Sequence, residues 1–420
     1  MAGRTPGQAP GRTPDQPRRR AEGVPLLQVD DLTVQFPTED GVVNAVRGVS
    51  YELAEREVLG IVGESGSGKS VSSMAVMGLL PKSARVNGRI LLEGENVLTM
   101  SARQQRSLRG RRIAMIFQDP MTALNPVYSV GDQLAESVRS HEAISKRAAL
   151  GRAEEILELV GIPNPKQRIR SYPHEFSGGM RQRVMIAMAV INRPDVIIAD
   201  EPTTALDVTV QAQILETLLA VKDAVNAAII MITHDLGVIA EVADRVLVMY
   251  AGRPVEIGSV EDIYYEPRMP YTLGLLGSLP RLDSSTRERL TPIKGAPPSV
   301  VNMPPGCPFA PRCPLHIAEC DEAEPERFQV GPGHTAACIR TEQVAAAHGH
   351  AADIFTESAD DATLASDRTP AGVALAQDDL DDDGPAVPPG DQTTPRAGLS
   401  DAGTQSVVSA PPRPTNGDRA

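Results

Sequence analysis

Gly63-Glu64-Ser65-Gly66-Ser67-Gly68-Lys69-Ser70 fits the pattern G-x-x-x-x-G-K-[ST], a loop that wraps nucleotide phosphates. Backbone N–H groups must converge on phosphate oxygens in such a loop. It therefore needs glycines, which accept unusual backbone angles and leave no side chain in the way. Lys69 is long enough to reach the β- and γ-phosphate oxygens, and the Ser70 hydroxyl is placed to hold Mg²⁺. The flanks agree. Val58-Leu59-Gly60-Ile61-Val62 is a short apolar run of the kind a buried strand needs, and Val71 to Leu80 reads as a helix that stops at Pro81. A helix N-terminus so placed favours the anion.

Working outward, other apolar runs repeat the theme. Ile113-Ala114-Met115-Ile116-Phe117 ends at Gln118, Val196-Ile197-Ile198-Ala199 leads into Asp200-Glu201, and Ala228-Ile229-Ile230-Met231-Ile232 closes on Thr233-His234-Asp235. Helical patterns lie between them. Leu150, Ala153, Ile156, Leu157 and Val160 share one face before Gly161 and Pro163, and Val210, Ile214, Leu218 and Val221 share another, with Asp207 placed to cap its start. Apolar strands alternating with helices predict an α/β fold around a parallel sheet, with ligands at the strand C-termini. Before the loop, Leu27, Val29, Leu32, Val34 and Phe36 alternate with polar residues, as do Val49, Tyr51 and Leu53. That predicts an antiparallel sheet with a turn near Thr38–Gly41. Residues 246–258 read as a hairpin turning at Ala251-Gly252-Arg253, and from 280 the chain is Pro-rich and irregular.

Bulk properties bound the function. The chain has 420 residues and a formal net charge of −13. Residues 345–420 carry 13 acidic and 4 basic side chains, whereas residues 1–24 carry 5 basic and 2 acidic. An acidic chain of this kind does not suggest nucleic acid as a partner. Both ends are expected to be disordered tails. No stretch approaches the ~20 apolar residues of a membrane span, and the N-terminus lacks the apolar core of a secretory signal, so a cytoplasmic location is expected.

The candidate chemistry sits at the strand ends. Asp200 stands where a second Mg²⁺-directing carboxylate belongs, and Glu201 could polarise an attacking water as general base. Taken alone, this pair reads as readily as a solvated acidic strand end. It runs on, however, into Pro202-Thr203-Thr204-Ala205-Leu206-Asp207, and upstream lies Phe176-Ser177-Gly178-Gly179-Met180-Arg181-Gln182-Arg183. A phosphate loop, Ser-Gly-Gly, an apolar strand closing on Asp-Glu, then Ala-Leu-Asp, in that order over roughly residues 26–340, resemble an ABC-type transport ATPase.

That resemblance implies a RecA-like phosphate-loop core with an antiparallel β subdomain, together forming a cassette over about 25–279, and an inserted helical subdomain over about 119–180. It also implies ATP and Mg²⁺. By the family pattern, Gly63, Glu64, Ser65, Gly66, Ser67, Gly68, Lys69, Ser70 and Val71 cradle the phosphates, Phe36 stacks on adenine, and Ser70, Gln118 and Asp200 attend Mg²⁺. Ser177, Gly178 and Gly179 match the signature that meets ATP on the opposite subunit, and Asp207 matches the residue that couples the two sites. Glu201, His234, Lys69 and Gln118 are the implied catalytic set. Met180 departs from the signature's usual Gln, which alters a side chain and keeps the backbone donors. Gln118-Asp119-Pro120, Leu124-Asn125-Pro126 and Pro270-Tyr271-Thr272-Leu273-Gly274-Leu275-Leu276 are similar to the oligopeptide/dipeptide importer group. The implied role is ATP hydrolysis driving peptide uptake at the cytoplasmic face of the cell membrane. The implied partners are a second ATPase subunit (a heterodimer), two transmembrane permease subunits and an extracytoplasmic solute-binding protein. Import of nickel or another small solute is the nearest alternative, and a non-transport ABC ATPase or a redox regulator are the others.

Cys307, Cys313, Cys320 and Cys338 are the only cysteines. Their spacing fits neither a zinc ribbon nor a zinc finger, though four thiolates can hold a [4Fe–4S] cluster or Zn²⁺. Cys307-Pro308-Phe309-Ala310-Pro311-Arg312-Cys313-Pro314 resembles the C-terminal extension of peptide-importer ATPases, here about 280–344, which in that family is associated with an iron–sulfur cluster. A site without metal remains an alternative. His316 and His334 read as surface residues.

Overall fold

The computed structural model describes residues 24–278 apart from 40 and 205, residues 292–348 apart from 300 and 302, and residue 355. The described residues all fall in one unit. The tails expected at 1–24 and 345–420 lie almost wholly outside the described residues. The boundary of the second is corrected, because the helix Thr341–Ala347 carries Ala347 into the core and Phe355 is buried as well.

Among the described residues, twelve strands form two sheets. An antiparallel sheet contains β1 (Leu27–Thr38), β2 (Gly41–Leu53), β4 (Arg85–Leu92) and β5 (Glu95–Asn96) in the order β2-β1-β4-β5. The expected turn is present, with Thr38 opposite Gly41. The second sheet has the order β11-β12-β10-β9-β3-β8-β7-β6. Its strands are β3 (Val58–Val62), β6 (Ile113–Ile116), β7 (Val196–Asp200), β8 (Ala228–Thr233), β9 (Arg245–Tyr250), β10 (Arg253–Ser259), β11 (Phe328–Gly331) and β12 (His334–Ala336). The β9-β3-β8-β7-β6 portion is parallel and the remainder antiparallel.

The all-apolar strands are explained by what covers them. Alternate residues point to opposite faces, and both faces are buried. Val58, Val62, Ile197, Ile229 and Val246 join the core packed under the helices. Leu59, Ile61, Ile198, Ile230 and Leu247 join the core shared with β1, β2 and β4. Each such Leu, Ile or Val contributes about 1.5–3 kcal/mol of burial.

Between β6 and β7 come the helices Val130–Arg139, Lys146–Leu159 and Gly178–Val190, the expected helical insertion. Ser129, Ser145 and Ser177 cap them through their side-chain oxygens. The region after 280 is corrected from irregular to partly ordered. β12 pairs with β10, and β11 pairs with β12, so the cysteine extension adds a hairpin to the edge of the core sheet. His334 is correspondingly buried, not a surface residue. It is 2% exposed, with Nε2 2.8 Å from Glu256 Oε1. His316 is exposed. Among the described residues, no helix is long and apolar enough to cross a membrane.

Candidate functional site

The phosphate loop joins β3 to the helix Lys69–Val76, as the motif requires. Gly68 caps that helix at φ 98°, and a Cβ there would lie 2.5 Å from the Ala45 carbonyl oxygen, so backbone angle and space both demand glycine. Lys69 is 6% exposed, and its ammonium donates to the carbonyls of Gly63 at 2.7 Å and Glu64 at 2.9 Å. Burial pulls its pKa down, against the opposing pull of Glu201, Asp200 and Glu64. The Ser67 hydroxyl is buried and has no hydrogen-bond partner among the described residues. A buried unpaired hydroxyl costs free energy. A ligand with acceptor oxygens in the loop satisfies it.

Two groups of predicted site residues converge beside the loop. Ser70 Oγ donates to Asp200 Oδ1 at 3.0 Å, joining the first residue pair expected around Mg²⁺. Asp200 ends β7 and is 8% exposed. Burial raises its pKa and Glu201 adds to this, while the Ser70 bond and Lys69 act against it. In the second group, Gln118 Nε2 donates to Glu201 Oε2 at 2.9 Å, and His234 Nδ1 lies 3.3 Å from Glu201 Oε1. Glu201 has φ 48°, a left-handed conformation that a non-glycine residue holds only when its surroundings enforce it. The Glu201 N–H donates to the Ile232 carbonyl at 2.8 Å, which helps fix that turn. Burial opposes ionisation of Glu201. Hydrogen bonds from Thr204 and His234, with the nearby Lys69, outweigh it and hold the carboxyl below its usual range.

Ser177, Gly178, Gly179 and Asp207 stand apart from this cluster. Ser177 and Asp207 are exposed and cap their own helices, Gly178–Val190 and Val208–Val225. Phe36 is half-buried on β1, packed against the second core.

Sequence reading missed several neighbours. Thr204 Oγ1 donates to Glu201 Oε2 at 2.8 Å, and its place three residues after Glu201 in a turn was the available signal. Tyr271 accepts from the Glu64 N–H at 2.7 Å, and Arg312 grips the Glu64 carboxylate. No local pattern links positions so far apart. The four cysteines all border one cavity together with Met269, Phe309 and Leu315. Burial raises the Cys313 thiol to about 12, the Cys338 thiol to about 11 and Cys307 in the same direction. Among the described residues, no three His, Cys, Asp or Glu side chains are grouped so as to hold a metal ion.

Known proteins are similar to this chain in sequence and in fold. Residues 46–204 match the ABC transporter family, and residues 255–320 match the family described as "Oligopeptide/dipeptide transporter, C-terminal region". The chain is 54% identical over 320 residues to the dipeptide transport ATP-binding protein DppD of Bacillus subtilis, covering 76% of this chain and 95% of that protein. It is 57% identical over 332 residues to the oligopeptide transport ATP-binding protein OppD of Mycobacterium tuberculosis, covering 79% of this chain but only 54% of that protein. The chain thus spans about half the length of its mycobacterial relatives. Among solved structures, cbiO1 of Clostridium perfringens, part of the ABC transporter complex cbiONQ, is 27% identical with a TM-score of 0.50, over 60% of this chain and 95% of that one. The fold is shared too with the dimeric ATP-binding cassette MJ0796 bound to ADP and Pi, at 23% identity and a TM-score of 0.50, over 56% of this chain and 98% of that one. The chain belongs to the ABC transporter ATP-binding proteins of the oligopeptide/dipeptide type.

Proposed function

We propose that the chain is the ATP-hydrolysing subunit of a peptide importer. The observation that carries this reading is the convergence of Lys69, Ser70, Asp200, Gln118, Glu201 and His234 at the C-terminal ends of β3, β6, β7 and β8. The ATP phosphates take the place of the Gly63 and Glu64 carbonyls on Lys69 and engage the unpaired Ser67 hydroxyl. Ser70 and Asp200 would hold Mg²⁺, which would supply positive charge to the phosphate oxygens. Glu201, kept ionised, accepts the proton of the attacking water, and His234 and Gln118 orient its two oxygens. Phe36 lies on the strand from which an aromatic ring stacks on adenine.

Ser177, Gly178 and Gly179 open a helix whose exposed N-terminus suits the γ-phosphate bound on a second cassette, with Asp207 beside that interface. One relative of this fold, MJ0796, is a dimer bound to ADP and Pi. The second cassette is a different ATPase chain, and two permease subunits and an extracytoplasmic binding protein complete the importer at the cytoplasmic face of the membrane. The cysteine cavity is proposed as a [4Fe–4S] site held by Cys307, Cys313, Cys320 and Cys338. What supports this reading is that all four thiols line one cavity, and four thiolates are the usual ligand set of such a cluster. Such a cluster would have to displace the protons of its thiols, against the burial that raises Cys307, Cys313 and Cys338.

The catalytic assignment is tested by single-turnover hydrolysis of Mg·ATP. Glu201→Gln is expected to retain ATP binding and lose hydrolysis by about 100-fold or more. Hydrolysis at the wild-type rate in that variant contradicts the assignment.

A further inference from the structure

Arg312 belongs to the cysteine segment, one residue before Cys313, yet it reaches the phosphate loop. Its Nη1 donates to Glu64 Oε2 at 2.6 Å and its Nη2 to Glu64 Oε1 at 2.8 Å. The side chain is 4% exposed. The rest of the guanidinium is also occupied, with Nε on the Lys294 carbonyl at 3.0 Å and Nη1 3.2 Å from the Tyr250 hydroxyl. Tyr250, Tyr271 and Phe309 pack ring against ring beneath it at centroid distances of 4.6, 5.4 and 5.5 Å. Tyr271 takes the Glu64 N–H. A planar two-point clamp of this kind fixes both position and charge.

The extension holds the loop at a second point. Glu324 accepts from both ends of the Arg47 guanidinium at 2.9 Å and lies 3.2 Å from Arg253. Arg47 in turn donates through its backbone to the Gly252 carbonyl at 2.8 Å and through Nε to the Ala251 carbonyl at 2.7 Å. The Gly252 N–H donates to the Ser67 carbonyl at 3.0 Å. The cysteine segment therefore grips the loop directly at Glu64 and, through one turn, at Ser67.

A loop that gathers backbone N–H groups around a polyphosphate gains nothing from a free carboxylate at its second position, because like charges repel strongly in a part-buried site. We propose that Arg312 is a positioning residue of the ATP site: it neutralises Glu64 and fixes the start of the phosphate loop, so that ATP affinity depends on the cysteine segment. This rests on the ATP reading above. Removing Arg312 exposes the bound phosphates to Glu64, and the penalty grows with their charge. Removing the Glu64 charge as well takes most of the penalty away.

The experiment titrates the full-length chain with fluorescent ATP and ADP analogues in wild type, Arg312→Met, and Arg312→Met with Glu64→Gln. Arg312→Met is expected to weaken ATP by about tenfold or more and ADP by only about threefold, with the double variant regaining most of the ATP loss. Unchanged ATP affinity in Arg312→Met overturns the inference. Equal losses for both nucleotides that Glu64→Gln does not relieve overturn it too, because that is the signature of a merely structural role. If Arg312→Met does not fold, Arg312→Gln, which stays polar but removes the charge and the two-point clamp, is read the same way. A wild-type chain that binds neither analogue would overturn the ATP reading itself, a different result from equal binding by wild type and variant.

Discussion

At the scale of single residues, the site shows two carboxylates pushed in opposite directions. Asp200 is buried beside Glu201 and its pKa is raised, while Glu201 is held low by Thr204, His234 and Lys69 against the effect of its own burial. A raised carboxyl binds more protons folded than unfolded, so Asp200 lowers stability as pH rises from its unfolded value through its folded one. Asp200→Asn keeps an acceptor for Ser70 and removes the buried charge. It is expected to raise the melting temperature of the nucleotide-free chain by about 2–4 °C and to abolish Mg²⁺-dependent hydrolysis. A lowered melting temperature would contradict that balance. Glu201 has the other sign, contributing stability above its unfolded pKa that is lost as pH falls through the lower folded value. Its ionised form persists below the ordinary carboxylate range, so the acid limb of hydrolysis assigned to Glu201 is expected at lower pH than an ordinary carboxylate would give. A pH–rate profile that loses this limb in Glu201→Gln checks it. The candidate residues that the fold brings together, Lys69, Ser70, Gln118, Asp200, Glu201 and His234, were legible because each lies in or beside a motif. Arg312 was not, because its partner Glu64 is 248 positions away and only the fold joins them.

At the scale of elements, the parallel strands were legible for a physical reason. β3, β6, β7 and β8 are buried on both faces, so apolar runs were all the pattern they could show. β11 and β12 were hidden because they span only four and three residues, too few for a period to show, and their pairing with β10 is a tertiary choice. The signature helix adds a packing test. A Cβ on Gly179 would lie 2.8 Å from Val210 Cγ1 on the neighbouring helix. Gly179→Ala is therefore expected to destabilise the chain by about 1–3 kcal/mol, and Val210→Ala in the same chain to restore part of it. Chemical denaturation of the single and double variants measures this, and strict additivity would contradict the close packing. The Ser177 and Asp207 caps are worth about 1 kcal/mol each, so their replacement by alanine separates helix stability from any role at a dimer interface.

At the scale of the whole molecule, the cysteine extension is continuous with the cassette, sharing the core sheet through β10 and β12 and the phosphate loop through Arg312 and Glu324. Sequence alone read it as a separate, irregular piece, since composition reports Pro-rich chain and not where that chain packs. Under anaerobic purification the chain is expected to carry about four iron and four sulfide per molecule, lost when the cysteines are replaced by serine. Zinc in their place, or no metal, contradicts the cluster reading and leaves the ATP site as described. The central claim, that this chain turns ATP hydrolysis into peptide uptake, is met most directly in cells. Uptake of labelled di- and oligopeptides, with nickel as control, is compared between this chain and Lys69→Ala at equal abundance. Loss of peptide uptake with nickel uptake unaffected is the expected result. Undiminished peptide uptake in the Lys69→Ala cells would contradict it.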